Sequence, residues 1–387
     1  EKDPAFKVQI EQTRDFREFT RLLTHACGLR EDTGQIVFID EAQESEKLGS
    51  YVRDMKETWK NTRVILTGSS MTRLFREDQR VPVGRIEYLT VHPFSFREFL
   101  RCLEKEKLLE NAIDEYFSSQ SVSSFAHQNL VSLFDRYLKL GGLPAVVLAY
   151  RNDTDHTSIM ASLVATQRED FIRKERTKSP LFLEALRGVA NHVGSVAKFS
   201  HLSENKYDAA RVIEQLKNWF LVHEVDVLGT QATQRISVKR YLYDTGVLRF
   251  VRNAPVPELS VLNTLNEALR IPLGGIIENA VLIGFLQDRL AYQPISTWKK
   301  NNKDPVEVDF VLNINNKMVP VEVKAALNIS PKHCRGLVQY ALAHGVEKGF
   351  LLSFSEPETM IVHGGRLTVY GLPVYLNSAQ VLQRLIG

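Results

Sequence analysis

Three residues in the last third of the chain have the types and spacing of a phosphodiester-cleaving centre. Asp309, Glu322 and Lys324 form an Asp-x(12)-Glu-x-Lys arrangement. Two carboxylates can hold Mg²⁺ or Mn²⁺ through oxygen ligands, and a nearby ammonium can orient or deprotonate the attacking water. A second group lies far upstream, where Asp40 and Glu41 close the apolar run Ile36–Ile39. An aspartate there can hold Mg²⁺ on a nucleotide while the adjacent glutamate orients or activates water. Thr67, Ser69 and Ser70 end the run Val64-Ile-Leu-Thr-Gly-Ser-Ser and offer hydroxyls to the same water or to a γ-phosphate. Each group has a plainer alternative. Asp309, Glu322 and Lys324 would also suit cross-strand ion pairs on an exposed hairpin, and Asp40-Glu41 would suit a strand entering an acidic helix N-terminus.

The elements that must position these residues follow from hydrophobic period. Ile36–Ile39 and Val64–Leu66 read as strands buried on both faces of a parallel sheet, with carboxylates at the strand end where open α/β sheets bind ligands. Leu48, Val52, Met55 and Trp59 fall near helical spacing between them. VEVDFVL (306–312) alternates as a half-buried strand, Asn315-Asn316 supplies a turn, and MVPVEVKAAL (318–327) returns as its partner. Glu322 and Lys324 then share one face while Val321 and Val323 take the other. Residues 101–180 carry helical patterns, one of which ends at Gly141-Gly142, with Pro144 in the first turn of the next helix. From Thr177 onward the order is helix, turn, helix and two strands, a winged-helix order. Lys206, Arg211 and Lys217 on its second helix, with Arg235, Lys239 and Arg240 on the wing, are candidates to face nucleic-acid phosphates. Protein–protein winged helices and plain solvated basic faces have the same pattern.

The chain has 387 residues, 44% hydrophobic and 25% charged, which excludes disordered, collagenous and coiled-coil classes and favours two or three domains. No apolar run approaches the ~20 residues of a bilayer span. Cys27, Cys102 and Cys334 make neither a metal-type pair nor a disulfide framework, so a reducing, cytoplasmic setting is expected. Net charge is +3 overall, but residues 171–250 carry 13 basic against 8 acidic side chains, and a polyanion partner is sought there. The histidines show no ligand spacing.

Taken in order, these segments resemble the prokaryotic AAA-type ATPases that carry a C-terminal domain long described as of unknown function. IVFIDEAQ (36–43) resembles their Walker B segment and VILTGSS (64–70) their sensor strand. VPVGRIEYLTVHPFSFREFL (81–100) resembles the run that follows, and YLKLGGLPAVV (137–147) resembles their lid. KRYLYDTGVL (239–248) matches the family's marker for the end of the winged-helix segment. The resemblance implies an arginine-finger role for Arg85, acting across a subunit interface on phosphoryl charge. One departure is plain: no Gly-Lys dipeptide occurs anywhere in the chain, so no phosphate loop of the G-x-x-x-x-G-K-[ST] type precedes Asp40. The opening residues resemble the stretch after that loop, and the sequence is expected to begin downstream of it.

The C-terminal pattern resembles the restriction-endonuclease-like superfamily. That resemblance implies a further metal-binding acid at Glu278, in GGIIENAVLIGFLQDRL (274–290), and a supporting Gln339 in the following helix. The expected architecture is a multi-domain α/β chain. It comprises an AAA-type P-loop NTPase core over 1–105 without its phosphate loop, a helical lid over 106–180, a winged-helix-like segment over 181–250 and a restriction-endonuclease-like domain over 251–387. The expected cofactors are ATP and Mg²⁺, with Mn²⁺ possible at the nuclease-like site. DNA and further copies of the chain are the expected partners, with no membrane and no small-molecule substrate beyond ATP. The expected function is an ATPase whose ATP-driven assembly regulates DNA association or phosphodiester cleavage. The alternative is a nucleotide-switched protein-interaction module with an inactive nuclease-like domain; a helicase-like motor is disfavoured because no motor motifs extend beyond one ATPase core.

Overall fold

Phe16, Phe19 and Leu23 recur at helical spacing, and Asp15 accepts a hydrogen bond from the Glu18 N–H to start the helix they line. Gly28, in the left-handed region at φ 71°, ends it. In the computed structural model this helix belongs to the first of two compact units, residues 1–90 and 91–387. The structure describes residues 4–30, 33–68, 74, 84–203, 205–229, 235–252, 257–265, 267–288, 293–301 and 306–386. Unit 1 contains α1 (Pro4–Gln12), α2 (Phe16–Cys27), β1 (Gln35–Ile39), α3 (Leu48–Thr58) and β2 (Thr62–Leu66). Its core is an aromatic cluster in which Phe19 packs on Tyr51 at 5.0 Å and Phe16 on Trp59 at 5.2 Å between ring centres. Burying each such side chain contributes about 1.5–3 kcal/mol.

β1 and β2 pair in parallel, Val37 opposite Val64 and Ile39 opposite Leu66. The parallel pairing follows the expectation, but burial on both faces does not. Ile36 is 66% exposed and Phe38 61%, while Val37, Ile39, Val64 and Leu66 pack against the aromatic core. Among the described residues of unit 1, the core covers one face of this two-stranded sheet and leaves the other apolar and open.

Unit 2 begins with helices: α4 (Phe96–Cys102), α5 (Glu106–Ser119), α6 (Ser124–Leu140), α7 (Pro144–Arg151), α8 (His156–Glu175), α9 (Ser179–Asn191) and α10 (Lys206–Asn218). A capping box between Ser95 and Glu98 opens α4, and Pro144 occupies the first turn of α7. There follow β3 (Val222–Leu228), β4 (Arg235–Leu242), α11 (Thr245–Val251), α12 (Glu267–Asp288), β5 (Ile295–Lys299), β6 (Glu307–Ile314), β7 (Lys317–Val323), α13 (Arg335–His344), β8 (Lys348–Ser353), β9 (Glu358–Val362), β10 (Leu367–Pro373) and α14 (Ala379–Ile386). Asn315 and Asn316 both take positive φ, 52° and 61°, the geometry a two-residue hairpin turn requires between β6 and β7.

The eight strands form one mixed sheet in the order β4-β3-β5-β6-β7-β8-β10-β9. The two strands read as a wing do not close a separate winged helix. β3 pairs in parallel with β5, Val227 opposite Thr297, and so continues the C-terminal sheet. Strands of such different chain position join because their apolar residues share one core, in which Val225, Tyr241, Phe310 and Val321 are buried. No described helix is long and apolar enough to cross a membrane.

Candidate functional site

Strand period places three pairs of charged or polar residues on one face of the sheet. Lys239 and Tyr241 come from β4, Glu307 and Asp309 from β6, and Glu322 with Lys324 from the end of β7. α12 brings Glu278 to the same place, set in register by its neighbour. Asn279 is fully buried and clamps Leu242, accepting its N–H at 2.8 Å and donating to its carbonyl at 2.9 Å. The Lys239 ammonium lies 3.2 Å from Glu278 Oε1, 3.1 Å from Glu307 Oε1 and 3.8 Å from Asp309 Oδ1. The Tyr241 hydroxyl donates to Glu278 Oε1, and the Lys324 ammonium donates to Glu322 Oε1. Asp309 Oδ2 accepts the Val323 N–H at 2.8 Å. Glu322 Oε2 is buried with no hydrogen-bond partner.

Space around this centre is tight. Gly336 lies where a Cβ would come within 3.0 Å of Glu322 Oε2, and Gly194, at φ +73°, where one would meet Glu278 Oε2 at 2.8 Å. The charges are also crowded, because among the described residues the carboxyls of Glu278, Glu307, Asp309 and Glu322 face the ammoniums of Lys239 and Lys324. Burial, reinforced by Asp309, pushes the Glu278 carboxyl up to about 7 despite the pull of Lys239. Burial and the Asp309 charge likewise raise Glu322, against the pull of Lys324. For Lys239, burial alone would favour the neutral amine. The charges of Glu278, Asp309 and Glu307 outweigh it and hold the ammonium charged. Both directions follow from the surplus of acid: the lysine is held by several carboxylates that repel one another.

The structure thus brings together Glu278, Asp309, Glu322 and Lys324. Gln339 is not part of this contact set: its amide oxygen accepts from Lys300 at 3.2 Å. Among the described residues, no group of acids, histidines or cysteines is arranged to hold a metal ion. The acid set as it stands does not fit a divalent cation, since Lys239 takes the space between Glu278, Glu307 and Asp309.

In unit 1, Thr67 Oγ donates to Asp40 Oδ1 at 2.7 Å, so the ends of β1 and β2 converge on one carboxylate. Glu41 follows in the left-handed region, φ 51° and ψ 41°, a conformation that costs a non-glycine residue about 1–3 kcal/mol and recurs at functional sites. Ser69 and Ser70 lie outside the described residues. Arg85 pairs with Glu57 at 3.1 Å, within the same unit.

The proposed phosphate-facing residues separate by burial. Lys239 and Arg240 are buried, 1% and 5% exposed, and do not face a phosphate. Arg240 donates to Glu224 at 2.8 Å and to the Ala197 carbonyl at 3.0 Å. Lys217 pairs with Glu214 and Glu224, and Arg211 with Asp208. Lys206 is exposed, with its ammonium over the Tyr207 ring. The side chain of Arg235 lies outside the described residues.

Sequence reasoning missed Lys239, Tyr241, Glu307 and Asn279 as members of the acidic centre. A polar Glu-Asn pair inside the apolar run IIENAVLIGF was the available signal. It also missed Asp244, which is 1% exposed, caps α11 through the Val247 N–H and accepts the Gly142 N–H at 2.6 Å. A Cβ on Gly246 would come within 2.2 Å of the Leu140 carbonyl. The glycine pair after α6 is therefore a docking point for the Asp-Thr-Gly turn as well as a helix stop.

Comparison with known proteins matches three segments of the chain. Residues 2–100 match a family described as an AAA domain. Residues 131–258 and 273–375 match two families described as domains of unknown function, DUF8612 and DUF4143 respectively. An AAA domain at one end and DUF4143 at the other support an AAA-type ATPase family, for which ATP is the implied nucleotide. An uncharacterized protein of Haemophilus influenzae is 23% identical over 257 residues, covering 62% of this chain. The aligned region spans 58% of that relative's length. No solved structure matches.

Proposed function

We propose that the chain is an ATP-binding AAA-type ATPase whose C-terminal unit is nuclease-like, ATP-driven assembly regulating its association with DNA or phosphodiester cleavage. The observation that carries the nuclease-like reading is the convergence of Glu278, Asp309, Glu322 and Lys324 from α12, β6 and the end of β7. In unit 1, the 2.7 Å contact between Thr67 and Asp40 supports a nucleotide site at the strand ends. There Asp40 holds the cation, Glu41 orients water, and Arg85 acts on the nucleotide of a neighbouring copy after leaving Glu57. Mg²⁺ bound with ATP would spread the charge of the transferring phosphoryl group. No phosphate-cradling loop of the G-x-x-x-x-G-K-[ST] type occurs among these residues.

Two assays test this reading. In the intact protein, Glu41→Gln lowers ATP turnover by 10²-fold or more while nucleotide binding persists; unchanged turnover would remove the assigned role. On plasmid, linear and single-stranded DNA with Mg²⁺ or Mn²⁺, cleavage that disappears in both Asp309→Ala and Lys324→Ala establishes the nuclease. No cleavage by folded wild type, with and without ATP, favours the second reading: a nucleotide-switched interaction module with no cleavage chemistry. Lys239 inside the acidic centre is the observation on that side, because an internal cation already occupies the space between Glu278, Glu307 and Asp309.

A further inference from the structure

A divalent ion bound by carboxylates needs its oxygen ligands at about 2.0–2.6 Å from one point. The acidic centre instead gathers its oxygens around an ammonium. Lys239 Nζ stands 3.1–3.8 Å from carboxyl oxygens of Glu278, Glu307 and Asp309. The lysine is only 1% exposed, and an ammonium is moved out of water only where acids compensate it. A second observation points to a cation other than lysine. Glu322 is buried in the same centre, its carboxyl interacting with Asp309 and Glu307, and its Oε2 has no partner in the protein. The protein thus satisfies Glu278 and Glu307 with Lys239 but leaves one acid oxygen of the centre unanswered.

We infer that Lys239 is a resident cation that excludes divalent metal from the acidic centre. The inference rests on the nuclease-like reading of Glu278, Asp309 and Glu322 and names what keeps that centre closed. Asn279 clamps the Leu242 backbone and so docks β4, which carries Lys239, onto α12. Charge and volume both make the two cations exclusive: an ammonium and a divalent ion cannot share these carboxylates at contact distance. Lys324 does not duplicate the role, since its described contact is with Glu322 Oε1, beside the unpartnered oxygen.

The test is Mn²⁺ binding by the full chain, followed by calorimetry and by the spin-resonance signal of free Mn²⁺. Lys239→Met is expected to bind one Mn²⁺ at least tenfold more tightly than wild type, and Asp309→Asn in that background is expected to abolish the gain. Lys239→Arg, which keeps the positive charge, is expected to show no gain. A folded Lys239→Met that binds Mn²⁺ no more tightly than wild type overturns the inference, as does tight binding by wild type itself. Should Lys239→Met not fold, the double variant Lys239→Met/Glu307→Gln removes one acid with the lysine, and the same gain or its absence decides. Cleavage is read separately. A variant that binds Mn²⁺ tightly yet leaves DNA intact supports the lysine's role while retiring the nuclease reading.

Discussion

Both sheets of this protein are built from apolar runs, yet they end in opposite conditions. β1 and β2 leave Ile36, Phe38 and Ile65 facing outward, whereas β6, β7 and β8 bury Val308, Phe310, Val321 and Phe350 completely. The charged residues follow the same division. In unit 1, Asp40 and Arg85 are exposed. In unit 2, Glu278, Asp309, Glu322 and Lys239 are sealed inside and neutralise one another in part. A sheet with one open apolar face is suited to being completed by something else, because an exposed patch of that kind normally marks a contact surface. A sheet covered on both sides carries its chemistry as an internal charge balance, and access to it must be opened.

The same residue type in the two sheets gives the largest contrast. Phe310 packs edge-on against Phe285 at 5.8 Å and lies 6.0 Å from Tyr241. Phe310→Ala is expected to destabilise unit 2 by about 3–5 kcal/mol. Phe38→Ala removes an exposed ring and is expected to change unit 1 by no more than about 0.5 kcal/mol. Urea unfolding resolved by hydrogen exchange along the chain separates the two units. Equal losses would break the comparison, since they would mean that Phe38 is covered in solution by a second copy or another segment.

Next in size is the junction within unit 2. Asp244→Asn retains one acceptor but turns an NH₂ toward the N–H of Gly142 or Val247, both of which the carboxylate now satisfies. Loss of a charge-assisted bond and a facing pair of donors are expected to cost about 2–3 kcal/mol. Exchange protection should fall in α6 and α11 and stay unchanged in α2 and α3. Unchanged protection in α6 would show that the glycine pair is held by packing alone.

These two tests mark where the sequence is legible. Asp309, Glu322 and Lys324 could be placed together from strand period and from Asn315-Asn316, because hairpin pairing is local. Glu278 added itself by resemblance. Lys239 and Glu307 could not be placed, since β4 reaches β6 only through β3 and β5, and period 2 says that residues share a face without saying which face is covered. The same blindness put Lys239 and Arg240 on an exposed wing and Ile36 and Phe38 inside a sheet. Asp244 escaped notice for a similar reason: its partner Gly142 lies 102 residues away, and nothing local distinguishes a buried cap from a solvated one.

The internal charge balance predicts a pH dependence confined to unit 2. Glu278 has a folded pKa of about 7 against an ordinary value of 4.5. The folded state therefore binds a proton more tightly than the unfolded chain does. Its contribution is fully present below pH 4.5 and is lost as pH rises through 7. The contribution is roughly 3 kcal/mol. It is read as the difference in unfolding midpoint between wild type and Glu278→Gln at pH 5 and pH 8. Wild type is expected to lose stability relative to the variant at the higher pH, and a gain would mean that Lys239 more than offsets the crowding of acids.

The smallest effect on stability belongs to unit 1, and it is the most informative about function. Arg85 and Glu57 form an ion pair in which both side chains are more than a third exposed, and Arg53 also holds Glu57. Water screens such a pair, and a second arginine is ready to replace the first, so Arg85→Ala is expected to leave the unfolding midpoint of unit 1 unchanged. Its effect on ATP turnover in the intact protein is a separate matter. An arginine that leaves Glu57 to meet a neighbour's phosphates would lower turnover by 10³-fold or more when removed. Mixing the variant with Glu41→Gln protein would then restore part of the turnover, because each copy supplies what the other lacks. Turnover that survives the substitution would make the contact with Glu57 the residue's whole role, and unit 1 would then need a different cation at its open side.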